Sequence, residues 1–529
     1  MFLSHQSRSI FSMLLAGAFL ATSLVFAEGP TNYDVRAFGA VDDGETVNTK
    51  AIQAVIDACA EAGGGTVFFP AGRYVTGTLF LKDGVRLDLD MAATILGSTN
   101  IDDYPVNSCD FPSRSDAYTS RALIWGEGLT DVGITGHGTI DGQGAAFRGK
   151  LASREDMAEM ARVHGEQGRY LPKEPYFNRP YLIRLISCSY VRVENVRLRN
   201  SAMWMQQYLN CDFVTIRGIN VINFGCKNND MIDIDGCRNV HISDCYGDSE
   251  DDAITLKSTG DSTTEHVVIS NCIGSSHCNP ITAGTESAGG FKDIVITNCV
   301  VKRSPTKNVL AGREEGLAGI ALEIVDGGTL ERIAISNIVM EGTTAPIFMR
   351  LGNRARPAKP SQPAPPIGTF RDVTVNNIVA TGASVTGCSI TGLPGHPIEN
   401  VSLSNIRIRF NGGGVSENTI ADVPELEAQY PESTMFGVLP AYGFFARHVK
   451  GLRLNNAVLR FDRPDKRPAI VCDDVAGLRI TGLEADVDSE AAIVLKDTRD
   501  AIIVQSETDG TGKLYALQGA CEDIRVSEE

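Results

Sequence analysis

One short phrase of alternating apolar and polar positions recurs along the second half of the chain. An apolar residue is followed by one residue, a second apolar residue, two residues that often include Asn, then Cys or an aliphatic residue. It reads Val191-Arg192-Val193-Glu194-Asn195-Val196, Val214-Thr215-Ile216-Arg217-Gly218-Ile219 and Val240-His241-Ile242-Ser243-Asp244-Cys245. Val267-Val268-Ile269-Ser270-Asn271-Cys272 and Ile294-Val295-Ile296-Thr297-Asn298-Cys299 follow, and later copies start at Ile333, Val373, Val401, Leu452 and Leu478. Each copy alternates as a strand does. From Val191 to Ile294 they start 23 to 27 residues apart, the length of one coil in a repeat array. Strands separated by single coils pair in parallel, each about 4.8 Å from the last. The pattern predicts an all-β chain, a right-handed parallel β-helix. The recurring Asn and Cys then read as interior ladders between coils. Cys245, Cys272 and Cys299 hold one position in three successive copies and are expected to pack, not to form disulfides or bind metal.

The wider gaps, Ile294 to Ile333 and Val401 to Leu452, predict loops inserted at coil corners. Residues 145–179 form the largest early insertion, with helical spacing from Ser153 to His164, and Pro357 to Pro366 is a Pro-rich surface loop. Near the start, Ala51, Ile52, Val55, Ile56 and Cys59 mark one face of a helix over Asn48 to Ala62, which Gly63-Gly64-Gly65 ends. A solenoid needs its open end covered. Residues 28–90 are therefore expected to hold an N-terminal capping helix and the first coils of a single β-helix unit over 28–529. Residues 1–27 have the layout of a secretory signal: Arg8, an apolar run from Ile10 to Phe26, and small residues at Val25-Phe26-Ala27. The run is short for a membrane anchor. The expected localisation is extracellular or periplasmic, free of the membrane after cleavage.

Charge and cysteine content narrow the partner. A net charge of -17 argues against nucleic acid, and obliges any polyanionic substrate to find a local cationic cleft. The 13 Cys are an odd number, so at least one thiol lacks an internal partner. No Cys or His spacing matches a metal site, and no cofactor is expected. Oligomeric state is not legible.

The candidate chemistry is a carboxylate cluster. Asn228-Asn229-Asp230-Met231-Ile232-Asp233-Ile234-Asp235 and Ser249-Glu250-Asp251-Asp252-Ala253-Ile254-Thr255-Leu256-Lys257 align as neighbouring strands. With Ile232 over Ile254 and Ile234 over Leu256, Asp230 sits over Asp252 at about one strand spacing. The outward pairs are Asp233 with Thr255 and Asp235 with Lys257. The next coils bring His277 before Ile281-Thr282-Ala283, then Ala321 and Glu323 on the outward face. Clustered carboxyls cannot all ionise freely, so one holds a proton while another is ionised. Glycosidic hydrolysis needs that pair of species. A Ca²⁺ site or a solvated acidic edge fits the spacing as well.

Tyr33-Asp34-Val35-Arg36-Ala37-Phe38-Gly39-Ala40 and Gly65-Thr66-Val67-Phe68-Phe69-Pro70-Ala71-Gly72 resemble the opening of the pectin-lyase-like β-helix superfamily. That group includes lyases, hydrolases, epimerases and adhesins, so fold alone does not decide function. The carboxylate region resembles glycoside hydrolase family 28, whose pattern runs Asn-Thr-Asp, Asp-Asp, Gly-His-Gly, Arg-Ile-Lys. Asn228 and Asp230 match the first motif, with Asn229 in place of Thr, and Asp251 and Asp252 match the second. The resemblance implies a secreted, inverting hydrolase of pectic or related acidic polysaccharide, with Asp251 as general acid. Asp230 and Asp252 then hold and deprotonate water, and Asn228 and Lys257 contact substrate.

Two departures matter. Gly-His-Gly reads Ser276-His277-Cys278, so His277 remains a catalytic candidate without its flexible neighbours. Arg-Ile-Lys reads Ala321-Leu322-Glu323, which loses both cations that the family uses on a uronate. Glu323 is expected to face Lys257 and to repel a uronate carboxylate, which predicts weak activity on plain polygalacturonan and better activity on branched or mixed pectic chains. Arg313, Arg350 and Arg354 are candidate replacement cations, or solvated loop charges. Trp204 and the aromatics from Tyr430 to Phe444 are candidates for sugar stacking or for ordinary packing. Two other functions stay open: a polysaccharide lyase on the same fold, and a non-catalytic carbohydrate-binding β-helix.

Overall fold

The computed structural model describes residues 32–527, apart from 172, 174, 175 and 421. The signal segment, 1–27, lies outside the described residues. None of the described helices is long and apolar enough to cross a membrane.

The strands pair in parallel from coil to coil and make a parallel β-helix. The recurring phrases stack on one another: Val191 pairs with Val214, Val214 with Val240, Val240 with Val267, and Val267 with Ile294. A second column of strands carries the site. It runs β1 (Gln206–Leu209), β2 (Ile232–Asp235), β3 (Ile254–Ser258), β4 (Ile281–Ser287), β5 (Ala318–Ile324) and β6 (Ala345–Leu351). Here Ile232, Ile254, Ile281, Ile320 and Ile347 register in succession and are all buried. Like side chains stacked at one strand spacing fill the interior without voids, and each contributes roughly 1.5–3 kcal/mol by leaving water.

The ladders separate by residue type. Cys245, Cys272 and Cys299 stack inside, and all 13 cysteines are free thiols. The Asn ladder, expected inside, lies on the surface instead. Asn271, Asn298, Asn337 and Asn377 are exposed with φ of 55–58°, Asn271 between two strands and the other three at left-handed bends within long strands. Asn tolerates this left-handed backbone better than other non-glycine residues. Asn337 and Asn377 each donate 3.0 Å to the Asn of the preceding coil, so the ladder ties coils together from outside. With no disulfide in the fold, excess dithiothreitol should leave Tm unchanged in a calorimetric scan. A drop of several degrees on reduction would reveal a cross-link worth about 2–4 kcal/mol.

The helix α1 (Thr49–Glu61) buries Ile52, Val55, Ile56 and Cys59 against the first strands. The inserted segment forms α2 (Arg154–Glu166). Segments 104–121, 145–171 and 176–179 fold down over the outward face of β1 to β3. They are held there by a second apolar cluster outside the solenoid, built on Trp125, Tyr181, Met203, Trp204 and Leu209, with Tyr118 and Tyr176 packed against it. Arg184, fully buried, donates to the Thr119 carbonyl at 2.9 Å and to Ser115 Oγ at 3.2 Å. These contacts wall the cleft described next.

Candidate active site

The strand register brings the three aspartates together. Asp233 pairs with Thr255 and Asp235 with Lys257 in β2 and β3, and Met231 N donates to the Asp252 carbonyl at 3.0 Å. Asp230 and Asp252 therefore occupy successive coils. Just before β2 the chain is locked by an amide clasp. Asn223 Nδ2 donates to the Asn229 carbonyl at 2.5 Å, and Asn229 Nδ2 returns 3.0 Å to the Asn223 carbonyl. Asn228, at φ 54°, turns its backbone N–H onto Asp251 Oδ2 at 3.2 Å. Asp251 Oδ1 accepts from Asp252 N at 3.0 Å. Asp252 Oδ1 accepts from Asn279 N at 2.9 Å and Asn279 Nδ2 at 3.0 Å, leaving Oδ2 with no such restraint.

Lys257 is the hub. Its Nζ lies 3.2 Å from Asp230 Oδ2, 3.6 Å from Asp233 Oδ1 and 3.8 Å from Glu286 Oε2. It also stands 4.6 Å above the Trp204 ring. Asp233, Asp235 and Lys257, expected on an open outward face, are buried, because the inserted segments cover that face. Asp235 is satisfied by Thr259 N at 2.8 Å and Gln207 Nε2 at 2.9 Å. Among the described residues Asp233 has only the neighbouring Asp230 carboxyl and the Lys257 ammonium at 3.6 Å beside it.

Burial pushes the Asp230 carboxyl well above the ordinary range against the pull of Lys257, and Asp251 and Asp252 add to the rise. Asp252 is raised to about 7, by burial first and Asp251 second. Burial opposes the charge on Glu286, but Arg356 and Lys257 outweigh it and hold that carboxyl below the usual range. The site therefore contains proton-holding carboxyls beside an ionised one at neutral pH, as acid–base work requires.

A group whose folded pKa is raised binds more protons folded than unfolded. Its contribution to stability therefore falls as pH rises from the unfolded value, near 3.8, through about 7. Asp252→Asn keeps the acceptor for Asn279 and removes the charge. Its Tm should exceed the wild-type value at pH 8, with the gain shrinking to nothing by about pH 4. Equal Tm values for the two proteins at pH 8 would show that Asp252 is not held under strain.

A cavity of about 300 Å³ opens over this cluster. Asn228, Asp230, Asp251, Asp252 and Lys257 line one side, and Arg114, Lys173, Glu286, Arg356 and four aromatics (Tyr118, Tyr176, Trp204, Tyr430) complete it. The other expected site residues lie elsewhere. His277 is fully buried behind the cleft, with Nδ1 3.2 Å from Glu250 Oε1 and Nε2 2.8 Å from the Thr306 carbonyl. Ala311 N donates to the same Glu250 oxygen at 2.8 Å, so His277 and Glu250 pin the loop 304–316 and cannot reach a substrate. Glu323 does not meet Lys257. The β3–β4 register shifts after Leu256, and Lys257 spends its charge on Asp230, Asp233 and Glu286. Burial, then Asp252, raise the Glu323 carboxyl well above the usual range, which removes the expected repulsion of a uronate. Arg350 is buried and donates to the Gly392 and Glu425 carbonyls. Arg354 supports the pocket wall from behind, donating 3.1 Å to Thr285 Oγ1 and pairing with Asp326. Arg313 is exposed outside the cavity.

Apart from Lys257, the cations that line the cavity were missed. Arg114 and Lys173 come from insertions far from the motifs in sequence, and Arg356 lies two residues past Arg354. Cys278 was also missed: its Sγ and the nearest oxygens of Asp251 and Asp252 lie within 4.8 Å of one another. All of these lie outside the paired strand positions that the repeat aligns.

Comparison with known proteins places the chain in a family. A family described as Glycosyl hydrolases family 28 matches residues 59–429. A probable polygalacturonase of Vitis vinifera is 30% identical over 383 residues, 70% of this chain and 73% of that protein. An exo-poly-alpha-D-galacturonosidase of Dickeya chrysanthemi is 26% identical over 43% of this chain and 42% of its own length. The solved structure of a hyperthermoactive exopolygalacturonase from Thermotoga maritima superposes with a TM-score of 0.59 at 23% identity, over 72% of this chain and 87% of that one. It shares the β-helix. With the family match spanning most of the chain and the Vitis vinifera relative matched over most of its length, this protein belongs to glycosyl hydrolase family 28 and is a glycoside hydrolase.

Proposed function

We propose that the protein is a secreted hydrolase that cleaves uronate residues from the ends of pectic chains with inversion and without a metal. The observation that carries this is the walled cavity itself. Asp230 and Asp252, which hold protons to higher pH than usual, line it together with the ionised Glu286, and inserted segments close it to about 300 Å³, which suits a chain end better than a through-going polymer. The polygalacturonase relatives support the pectic substrate, and the Dickeya chrysanthemi relative supports attack at ends.

In this mechanism Asp251, anchored by Asn228 N and Asp252 N, protonates the leaving glycosidic oxygen. Asp252, with Oδ2 unrestrained, takes a proton from the attacking water, which Asp230 helps to hold. General acid–base assistance of this kind contributes roughly 10²–10⁴-fold. His277 serves as a positioning residue through the loop it pins. The charge that made a uronate unattractive at position 323 is absent, so unesterified polygalacturonan becomes the expected substrate.

The oxygens of Asp251 and Asp252 approach within 4.8 Å. Two-carboxylate inverting enzymes usually leave about 6.5–9.5 Å for water. Stereochemistry is therefore a severe test. Proton NMR of the first product from oligogalacturonate should show the inverted anomer and release of monomer from the outset. A retained anomer would make an aspartate the nucleophile, and early mid-sized products would mean internal attack. Chelator should leave the rate unchanged, whereas an unsaturated product lost on chelation would identify a lyase.

A further inference from the structure

Arg114, Lys173 and Arg356 line the active-site cavity from three separate segments. Their pairing differs. Arg356 is fixed from behind, Nη2 lying 2.9 Å from Glu286 Oε1 and 2.8 Å from Asp326 Oδ2, with Nε 3.2 Å from the same Asp326 oxygen. Its Nη1 has no protein partner among the described residues. Arg114 has no carboxylate within 4.0 Å among them either, and its guanidinium lies 4.6 Å over the Tyr170 ring. The turn that carries it is set by a Ser113–Asp116 capping box and by Arg114 N donating to the Thr259 carbonyl at 2.8 Å. Lys173 is likewise free of carboxylate partners among the described residues, with its backbone N on the Ala117 carbonyl at 3.0 Å.

A chain with a net charge of -17 thus places two cations without a carboxylate partner among the described residues, Arg114 and Lys173, beside the paired Arg356 in the cavity that holds its reacting carboxyls. Solvated lysines and arginines on loops need no such convergence. With Nε and both hydrogens of Nη2 engaged, Arg356 keeps the two N–H of Nη1 in a fixed direction for one oxygen of a carboxylate. We propose that Arg114 and Arg356, with Lys173 at the rim, form the clamp that reads the carboxylate of the terminal uronate and replaces the cations absent at Ala321 and Glu323. The inference rests on the pectic reading above. It assigns acid-over-ester selectivity to residues outside the family's motif, and it makes the insertions the specificity element.

The test separates the clamp from the reaction by measuring binding as well as turnover. Isothermal calorimetry compares an unesterified galacturonate oligomer with its methyl ester on the whole protein, for wild type, Arg114→Gln and Arg356→Gln. Wild type should bind the acid at least tenfold more tightly than the ester. Either variant should cut acid binding at least tenfold and leave ester binding within a factor of two. Arg356→Gln strands Glu286 and Asp326 and is checked by its Tm. Arg114→Gln breaks no ion pair and keeps the test decisive if the other variant unfolds. Arg313→Gln, exposed outside the cavity, should change neither ligand. Unchanged acid binding in Arg114→Gln, or an equal loss for acid and ester, overturns the clamp. Acid binding that depends on Arg114 without any turnover would uphold the clamp and sink the hydrolytic reading instead.

Discussion

Asp251→Asn should lower kcat on oligogalacturonate by about 10²–10⁴-fold while the protein stays folded and binds the oligomer nearly as well. The argument is local. Asp251 accepts two backbone N–H bonds, from Asn228 at 3.2 Å and Asp252 at 3.0 Å, so its side chain is held in place whether or not it carries a proton. An amide keeps the shape and one acceptor. It sets its own NH₂ against the other N–H, at a cost of about 1 kcal/mol. That is too little to unfold a solenoid of this length. What it cannot do is deliver a proton to the leaving oxygen. A variant within tenfold of wild-type kcat would remove Asp251 from the acid role, and loss of binding in parallel with kcat would mean that the cleft had been deformed.

Lys257→Met is expected to be the most damaging single change to stability in the site. The ammonium is buried, against Asp230, Asp233 and Glu286. Burial alone would favour the neutral amine, yet the surrounding carboxylates hold Lys257 protonated well above its ordinary range. Removing one member of a buried ionic cluster leaves its partners uncompensated and typically costs about 3–5 kcal/mol. The sign of the pH effect follows. Without the cation, Asp230 and Asp233 retain protons to still higher pH in the fold, so the folded state binds more protons than the unfolded chain and stability falls as pH rises. Urea unfolding should therefore show a large deficit at pH 8 and a smaller one at pH 5. A deficit that does not depend on pH would assign the loss to packing on Trp204 rather than to charge.

The architecture was open to inspection in the primary structure because a β-helix is built from local repeats. The period, the alternation and the Ile232–Ile254–Ile281–Ile320 register follow from residues that meet one coil apart, and the observed pairs fall on those positions. The meeting of Asp230 with Asp252 follows from the same register. The Asn ladder was misplaced because strand alternation says nothing about backbone handedness, and the positive φ that draws Asn to the bends exists only in the folded coil. The strands that bear Asp233, Asp235 and Lys257 alternate as half-exposed strands should. Only the insertions packed on Trp125, Tyr181 and Trp204 turn their outer face into an interior.

The charge states and the cation set belong to tertiary structure for the same reason. A carboxyl's ionisation is decided by its burial and by the charges within a few ångströms, neither of which strand register supplies. Glu323 therefore reads as an anion in sequence and keeps its proton in the fold, and His277 reads as a site residue but is walled in by Glu250 and Thr306. Arg114, Lys173 and Arg356 sit on inserted segments whose paths no repeat constrains. The repeat determined the scaffold and the position of the three aspartates, because both depend on contacts one coil apart. Loop packing decided which charges face them, because those contacts join segments up to 242 residues apart, from Arg114 to Arg356.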